Sequence, residues 1–165
     1  MTNRFLAHSR AKYPIIQAPM GWIARSQLAS AVCNAGGLGI IETSSGETDI
    51  CKAEIEKMFT LTDAPFGVNL PILFLKDDAM LDFICSSGVK FVTTSAGSPS
   101  KFVGPLKEAG ITVYHAVPTV EAAIRCVEAG IDGLVVEGGE GGGFKNPEEV
   151  STLVLLQAVR AAVDV

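Results

Sequence analysis

The chain has 165 residues, of which 48% are hydrophobic and 19% charged, and a net charge of −5. That is enough for one domain with a sizeable core, too apolar for disorder, and too acidic for nucleic acid or an anionic membrane surface to be the main partner. Polar residues and glycines break every apolar run short of membrane-spanning length, and no apolar leader opens the chain. The four cysteines, Cys33, Cys51, Cys85 and Cys126, lie far apart without metal-ligand spacing. They read as reduced core thiols, so the expected compartment is the cytoplasm.

A short polar arm, Met1 to Lys12, leads to a brief strand at Ile15 and Ile16, which Pro19 and Gly21 stop. His8 in the arm is expected to be solvated. Apolar spacing predicts a helix over 26–34, closed by Gly36-Gly37, then a strand from Leu38 to Ile41. A helix over 47–61 carries the stripe Ile50, Ile55, Met58 and Phe59, and a strand over 65–70 ends in a polar Asn. Three more helix–glycine–strand units follow: 77–86 with strand 89–93, 98–109 with strand 111–115, and 119–129 with strand 131–136. Ser98 and Pro99 suit the cap and first turn of the second of these helices. A last helix is predicted over 148–162, and Asp164-Val165 reads as the lead-in to a further strand.

Strands alternating with helices at this spacing mean βα units and a parallel sheet. No G-x-G-x-x-G follows the first strand, which weakens a dinucleotide-binding doubly wound fold. The polar residues Gln17, Asn69, Thr93, His115 and Glu137 fall at the ends of several different strands, as the active face of a (β/α)₈ barrel requires. The expected fold is therefore α/β: the N-terminal six βα units of a TIM barrel, a single partial domain over residues 1–165, with the C-terminal units absent. Past the sixth strand comes Glu137-Gly138-Gly139-Glu140-Gly141-Gly142-Gly143-Phe144. Glycines there let backbone N–H groups approach a ligand.

Four motifs in this order carry a resemblance. They are Pro14-Ile15-Ile16-Gln17-Ala18-Pro19-Met20, Ala35-Gly36-Gly37-Leu38-Gly39, Phe66-Gly67-Val68-Asn69, and the glycine-rich loop from Glu137 to Gly143. The chain resembles the nitronate monooxygenase (2-nitropropane dioxygenase-like) family, whose relatives include FMN-dependent enoyl-acyl carrier protein reductases and NAD(P)H:quinone reductases. The resemblance implies an FMN-binding barrel and a small-molecule substrate. It places Ala18, Pro19 and Met20 along the flavin ring, Asn69 as a hydrogen-bond donor to it, and Glu137 as a side chain reaching the cofactor. Gly142 and Gly143 match glycines that admit cofactor and substrate.

Two departures from the family pattern stand out. Phe144 occupies the position of the family's usual His, which abstracts a proton or contacts substrate, and Phe cannot move a proton. The family's main phosphate-binding glycine loops follow the seventh and eighth strands, beyond residue 165. His115 is the candidate replacement base, because His is the common one near neutral pH. Lys101 and Lys145 are candidate phosphate partners by charge alone. The resemblance implies oxidation of alkyl nitronates with O2 to carbonyl compounds and nitrite. The alternatives are NAD(P)H-dependent reduction of an enoyl thioester or quinone, which the stretch Phe91 to Lys101 also resembles, and an inactive barrel fragment. Open strand edges would favour self-association.

Overall fold

A computed structural model describes residues 3–143 and 149–165. The elements in order are α1 (Arg4–Ser9), β1 (Ile16–Gln17), α2 (Ser26–Asn34), β2 (Leu38–Ile41), α3 (Thr48–Leu61) and β3 (Gly67–Pro71). A 3₁₀ turn (Ile72–Phe74) leads to α4 (Ala79–Ser87), β4 (Phe91–Ser95), α5 (Ser100–Glu108), β5 (Thr112–Val117), α6 (Val120–Glu128), β6 (Gly133–Val136) and α7 (Thr152–Ala162). The six strands pair in sequence order and every pair is parallel. A doubly wound sheet would reverse its order at a switch point; this one does not, so it is the wall of a barrel. β1 and β6 each pair on one side only, leaving two open edges.

β3, β4 and β6 begin two residues later than the apolar runs predict and β1 and β5 one, while β2 begins as predicted; for β5 and β6 the helix endings explain the offset. At the end of α5, Gly110 N donates to Lys107 O (2.9 Å) and Ile111 N to Leu106 O (3.0 Å). α6 ends likewise, with Gly130 N on Val127 O (2.9 Å) and Ile131 N on Cys126 O (3.5 Å). These are the paired bonds of a Schellman motif, with a glycine at positive φ followed by an apolar residue that packs back on its own helix. Ile111 and Ile131 thus belong to the helix ends, and the strands run on past the predicted boundaries to Ser95 and Val117. Asn69, Thr93 and His115 lie inside strands as a result, where alternation fixes the face each side chain takes.

Two apolar layers sandwich the sheet. Ile41, Val68, Leu70, Val92, Val113 and Val117 face outward and pack under the helices. Leu38, Ile40, Phe91 and Tyr114 face inward and meet Ala11, Phe5 and Leu6. Burying each such large side chain stabilises the fold by roughly 1.5–3 kcal/mol. Gly133 belongs to this interior: a Cβ there would overlap the Tyr114 ring.

The expected polar arm is therefore partly a helix. Asn3 caps α1 by accepting from Leu6 N (3.2 Å), and Phe5 stands edge-on to Phe91 and Tyr114, with centroids 6.2 and 6.3 Å away. The arm's apolar residues are too few to show a helical period, but they plug the N-terminal end of the barrel. His8 is not solvated either: it is half-buried, and its Nδ1 lies 3.1 Å from the Tyr114 hydroxyl in a hydrogen bond. The anticipated strand at Asp164-Val165 is not formed. Asp164 instead pairs with Arg4 (2.6 Å) and Arg160 (2.7 Å).

Candidate functional site

The C-terminal ends of the strands gather polar side chains from several strands. On the inward face, Asn69 stands beside Thr93, and Thr93 beside Tyr114 of the inner layer. The Thr93 hydroxyl donates to Asn69 Oδ1 (2.9 Å), and Asn69 Nδ2 donates to Ser95 Oγ (3.3 Å). Asn69 is 5% exposed, and its amide carries two N–H donors. One of them has no acceptor among the described residues. At the end of β1, Gln17 Nε2 donates to Ile40 O (3.1 Å) and to Ala18 O, while Gln17 Oε1 is buried with no partner among the described residues. A buried amide oxygen left unpaired costs about 1–3 kcal/mol, and such orphans mark sites completed by something outside the chain.

Ala18, Pro19 and Met20 form the turn after β1. Met20 O accepts from Ile23 N (3.1 Å) and Ala24 N (2.8 Å), and Trp22 takes a positive φ of 60°. Trp22 is 68% exposed, projecting an apolar ring into solvent. What holds this turn is Glu42, directly after β2. Its carboxylate is fully buried and accepts from Trp22 N (3.2 Å), Ser44 N (2.7 Å) and Ser45 N (3.1 Å). Arg25 Nη2 lies 2.9 Å from Glu42 and 2.8 Å from Glu47. A buried carboxylate survives only when paired and hydrogen-bonded, and this one joins the loops after β1 and β2 into one unit. Sequence reading missed Glu42. The signal was there: a carboxylate straight after the apolar run Leu38–Ile41, followed by the hydroxyl donors Thr43, Ser44 and Ser45.

The glycine-rich loop divides into two jobs. Glu140 accepts from Thr152 N and Thr152 Oγ1 (2.8 Å each), capping α7, and the backbone bond from Thr152 holds its carboxyl below the ordinary range. Glu137 is half-buried at the strand end and folds back over Gly141, where a Cβ would overlap its carboxylate. Among the described residues a Cβ on Gly142 would meet nothing, and one on Gly143 only Glu137 Oε1 at 3.8 Å. Phe144 and Lys145 lie outside the described residues. Lys101 pairs with Asp78 (2.7 Å) instead of standing ready for a phosphate.

His115 departs from the expectation of a base at the strand-end mouth. It shares the outward face of Val113 and Val117, is 4% exposed, and its Nδ1 lies 2.7 Å from Thr94 Oγ1 in a hydrogen bond. The ring also bonds the Gly97 backbone. Burial lowers its pKa to about 4. His115 is thus a buried, hydrogen-bonded histidine on the outer side of the sheet, where it lines a groove.

The groove, of about 700 Å³, runs from Ser95 and Glu137 at the mouth, past Ser98 and Ser100 at the start of α5, to Arg125 and Ala129 on α6. The neighbouring helices α2/α3, α3/α4, α4/α5 and α6/α7 pack side by side; α5 and α6 pack less extensively, with Lys107 reaching Gly130 O (3.0 Å) past the end of α6, and the groove is lined by both. Among the described residues no helix is long and apolar enough to cross a membrane.

Comparison with known proteins places this geometry. The chain is 35% identical, over 92% of its length, to the 5-hydroxy-7a-methyl-1-oxo-octahydro-1H-indene-4-carboxyl-CoA dehydrogenase of Mycobacterium tuberculosis, and covers 42% of that protein. It is 30% identical to a nitronate monooxygenase of Pseudomonas aeruginosa, covering 98% of this chain and 59% of that one. FabK from Thermotoga maritima superposes with a TM-score of 0.94 at 33% identity, over 100% of this chain and 52% of FabK. The chain thus spans about half the length of the relatives it matches. The nitronate monooxygenase family model matches residues 3–82 and 73–165, and the chain belongs to that family.

Proposed function

We propose that this chain forms the ring-binding half of an FMN-dependent oxidoreductase that acts on an acyl thioester, with NAD(P)H as the companion redox substrate. When bound, FMN supplies reversible two-electron transfer; the protein's part is to hold, orient and shield. Two groups at the strand ends without a partner among the described residues fit a planar heterocycle with mixed donors and acceptors: one Asn69 N–H and Gln17 Oε1. Ala18, Pro19 and Met20 would lie along the ring, with Glu42 fixing their turn, and Gly142 and Gly143 would leave room beside it. Glu137 is the carboxylate at the mouth able to hold a proton. No described residue is assigned to the cofactor's phosphate.

The observation that carries the thioester is the 35% identity, over 92% of this chain, to a CoA dehydrogenase. Phe144 supports it from the other side: the family's usual His is replaced by a side chain that cannot take a proton, and His115 is turned under the helices, which leaves Glu137 as the described carboxylate at the mouth. Oxidation of a preformed nitronate needs no base. It stands as the second reading, favoured by the family match and the likeness to the P. aeruginosa enzyme. Four free thiols suit a reducing, cytoplasmic setting, and the unpaired edges of β1 and β6 suit self-association, to be read as a mass above the monomer by light scattering.

The test begins with FMN titrated into the chain and followed by visible absorption. Binding is expected, and Asn69→Ala should weaken it about tenfold by removing one buried donor. NADH consumption with an enoyl thioester would then support the first reading; oxygen uptake with an alkyl nitronate and no NADH requirement would support the second. A chain that binds no FMN would be an inactive barrel fragment.

A further inference from the structure

The groove lined by α5 and α6 is the feature that the flavin reading leaves unused. It begins at Ser95 and Glu137, where the strand ends open, and leaves the barrel over the α5 start. α6 presents Ala122, Arg125, Cys126 and Ala129 to it, one face at helical spacing, and the two alanines keep it open. Its lining thus joins the strand ends to the outer helix layer. Arg125 is the one cation among its lining residues and makes no ion pair among the described residues. Glu137 lies at the mouth and Glu128 one turn beyond Arg125, so the groove offers a single position for an anion, part-way along.

We propose that this groove takes the phosphopantetheine arm of a thioester substrate, with the acyl end at the mouth and the phosphate against Arg125. The inference rests on the thioester reading and adds to it the path of the arm and the residue that recognises its phosphate. The arm is long, thin and mostly uncharged, ending in a dianion. That matches a half-apolar groove with one guanidinium, which favours phosphate through a planar, two-pronged set of donors. Continuity with the strand-end mouth is what distinguishes this groove from an ordinary surface furrow.

The test is a binding experiment on the chain itself, with FMN present and absent, using 4′-phosphopantetheine, coenzyme A and unphosphorylated pantetheine as probes in titration calorimetry. Both phosphorylated probes should bind, and pantetheine about tenfold more weakly. Arg125→Glu should abolish the preference for phosphate, and Arg125→Lys should keep part of it. Ala122→Trp should block all three probes. The Thr119 cap of α6 uses the Ala122 backbone N–H, which that change retains, and circular dichroism checks that the variant is folded. No binding to the unaltered chain, an unchanged phosphate preference in Arg125→Glu, or undiminished binding to folded Ala122→Trp would each overturn the proposal. Turnover of a short N-acetylcysteamine thioester separates the two claims. Turnover without phosphate-dependent binding overturns the groove alone; phosphate-dependent binding without any turnover overturns the thioester reading and leaves the groove as a binding site.

Discussion

The two ends of this half-barrel solve opposite problems. At the N-terminal end, α1 closes the interior with Phe5 against Phe91 and Tyr114, and the polar groups meet each other, as His8 does Tyr114. At the C-terminal end, among the described residues, Gln17 Oε1 is left without a partner and Asn69 holds a spare donor; positive φ occurs at both ends, at Arg10 (58°) after α1 and at Trp22 (60°) and Ala96 (53°) here. Non-glycine residues in that region cost on the order of 1 kcal/mol each. One end is built for stability; the other keeps unmatched polar groups, which a ligand can satisfy. The same division of a barrel's faces is general.

The largest expected break of this contrast is Phe91→Ala. It empties the closed end and should cost about 3–5 kcal/mol in denaturant unfolding, while the strand-end groups that would meet FMN stay in place. If FMN affinity fell in proportion to stability, the two ends would not be separable. Next in size is the pH response of His115. Its folded pKa of about 4 lies below the ordinary 6.5, so the unfolded chain takes up the proton first as pH falls. Stability is thus lost between pH 6.5 and 4, by up to about 3 kcal/mol for this group. Denaturant curves at pH 7 and 4.5 should show a smaller loss for His115→Asn than for the unaltered chain; an equal loss would mean the ring is not held neutral. The smallest is Tyr114→Phe, which removes the bond to His8 and should cost about 1 kcal/mol in the same assay.

The order of elements was legible because glycines punctuate it: Gly36, Gly88, Gly110 and Gly130 each end a helix. Sequence order also told the barrel from the doubly wound sheet through the spread of polar residues over several strand ends. Strand boundaries were not legible. Ile111 and Ile131 look like strand residues in a linear pattern, yet they are spent on the helix ends. β5 runs on to Val117, so His115 lies inside the strand instead of ending it, and alternation puts it on the outward face with Val113 and Val117. α1 was missed because its helicity depends on Phe91 and Tyr114, which lie far away in sequence. Glu42 was missed because a carboxylate after a strand reads as solvated until Arg25 and the Trp22 backbone are brought to it by the fold. Glu140 is a helix cap only because the fold brings Thr152, twelve residues on, to its carboxylate.

Trp22 is the one tryptophan in the chain, and its backbone is tied to Glu42 while its ring stands in solvent on the turn after β1. The protein therefore carries a built-in optical gauge at the rim of its candidate site. Indole emission from this single position would report local polarity without any attached dye, and a flavin nearby would draw that emission down by energy transfer. Every loading, unloading or loosening of the rim becomes a change in one fluorescence signal with no background from elsewhere in the chain.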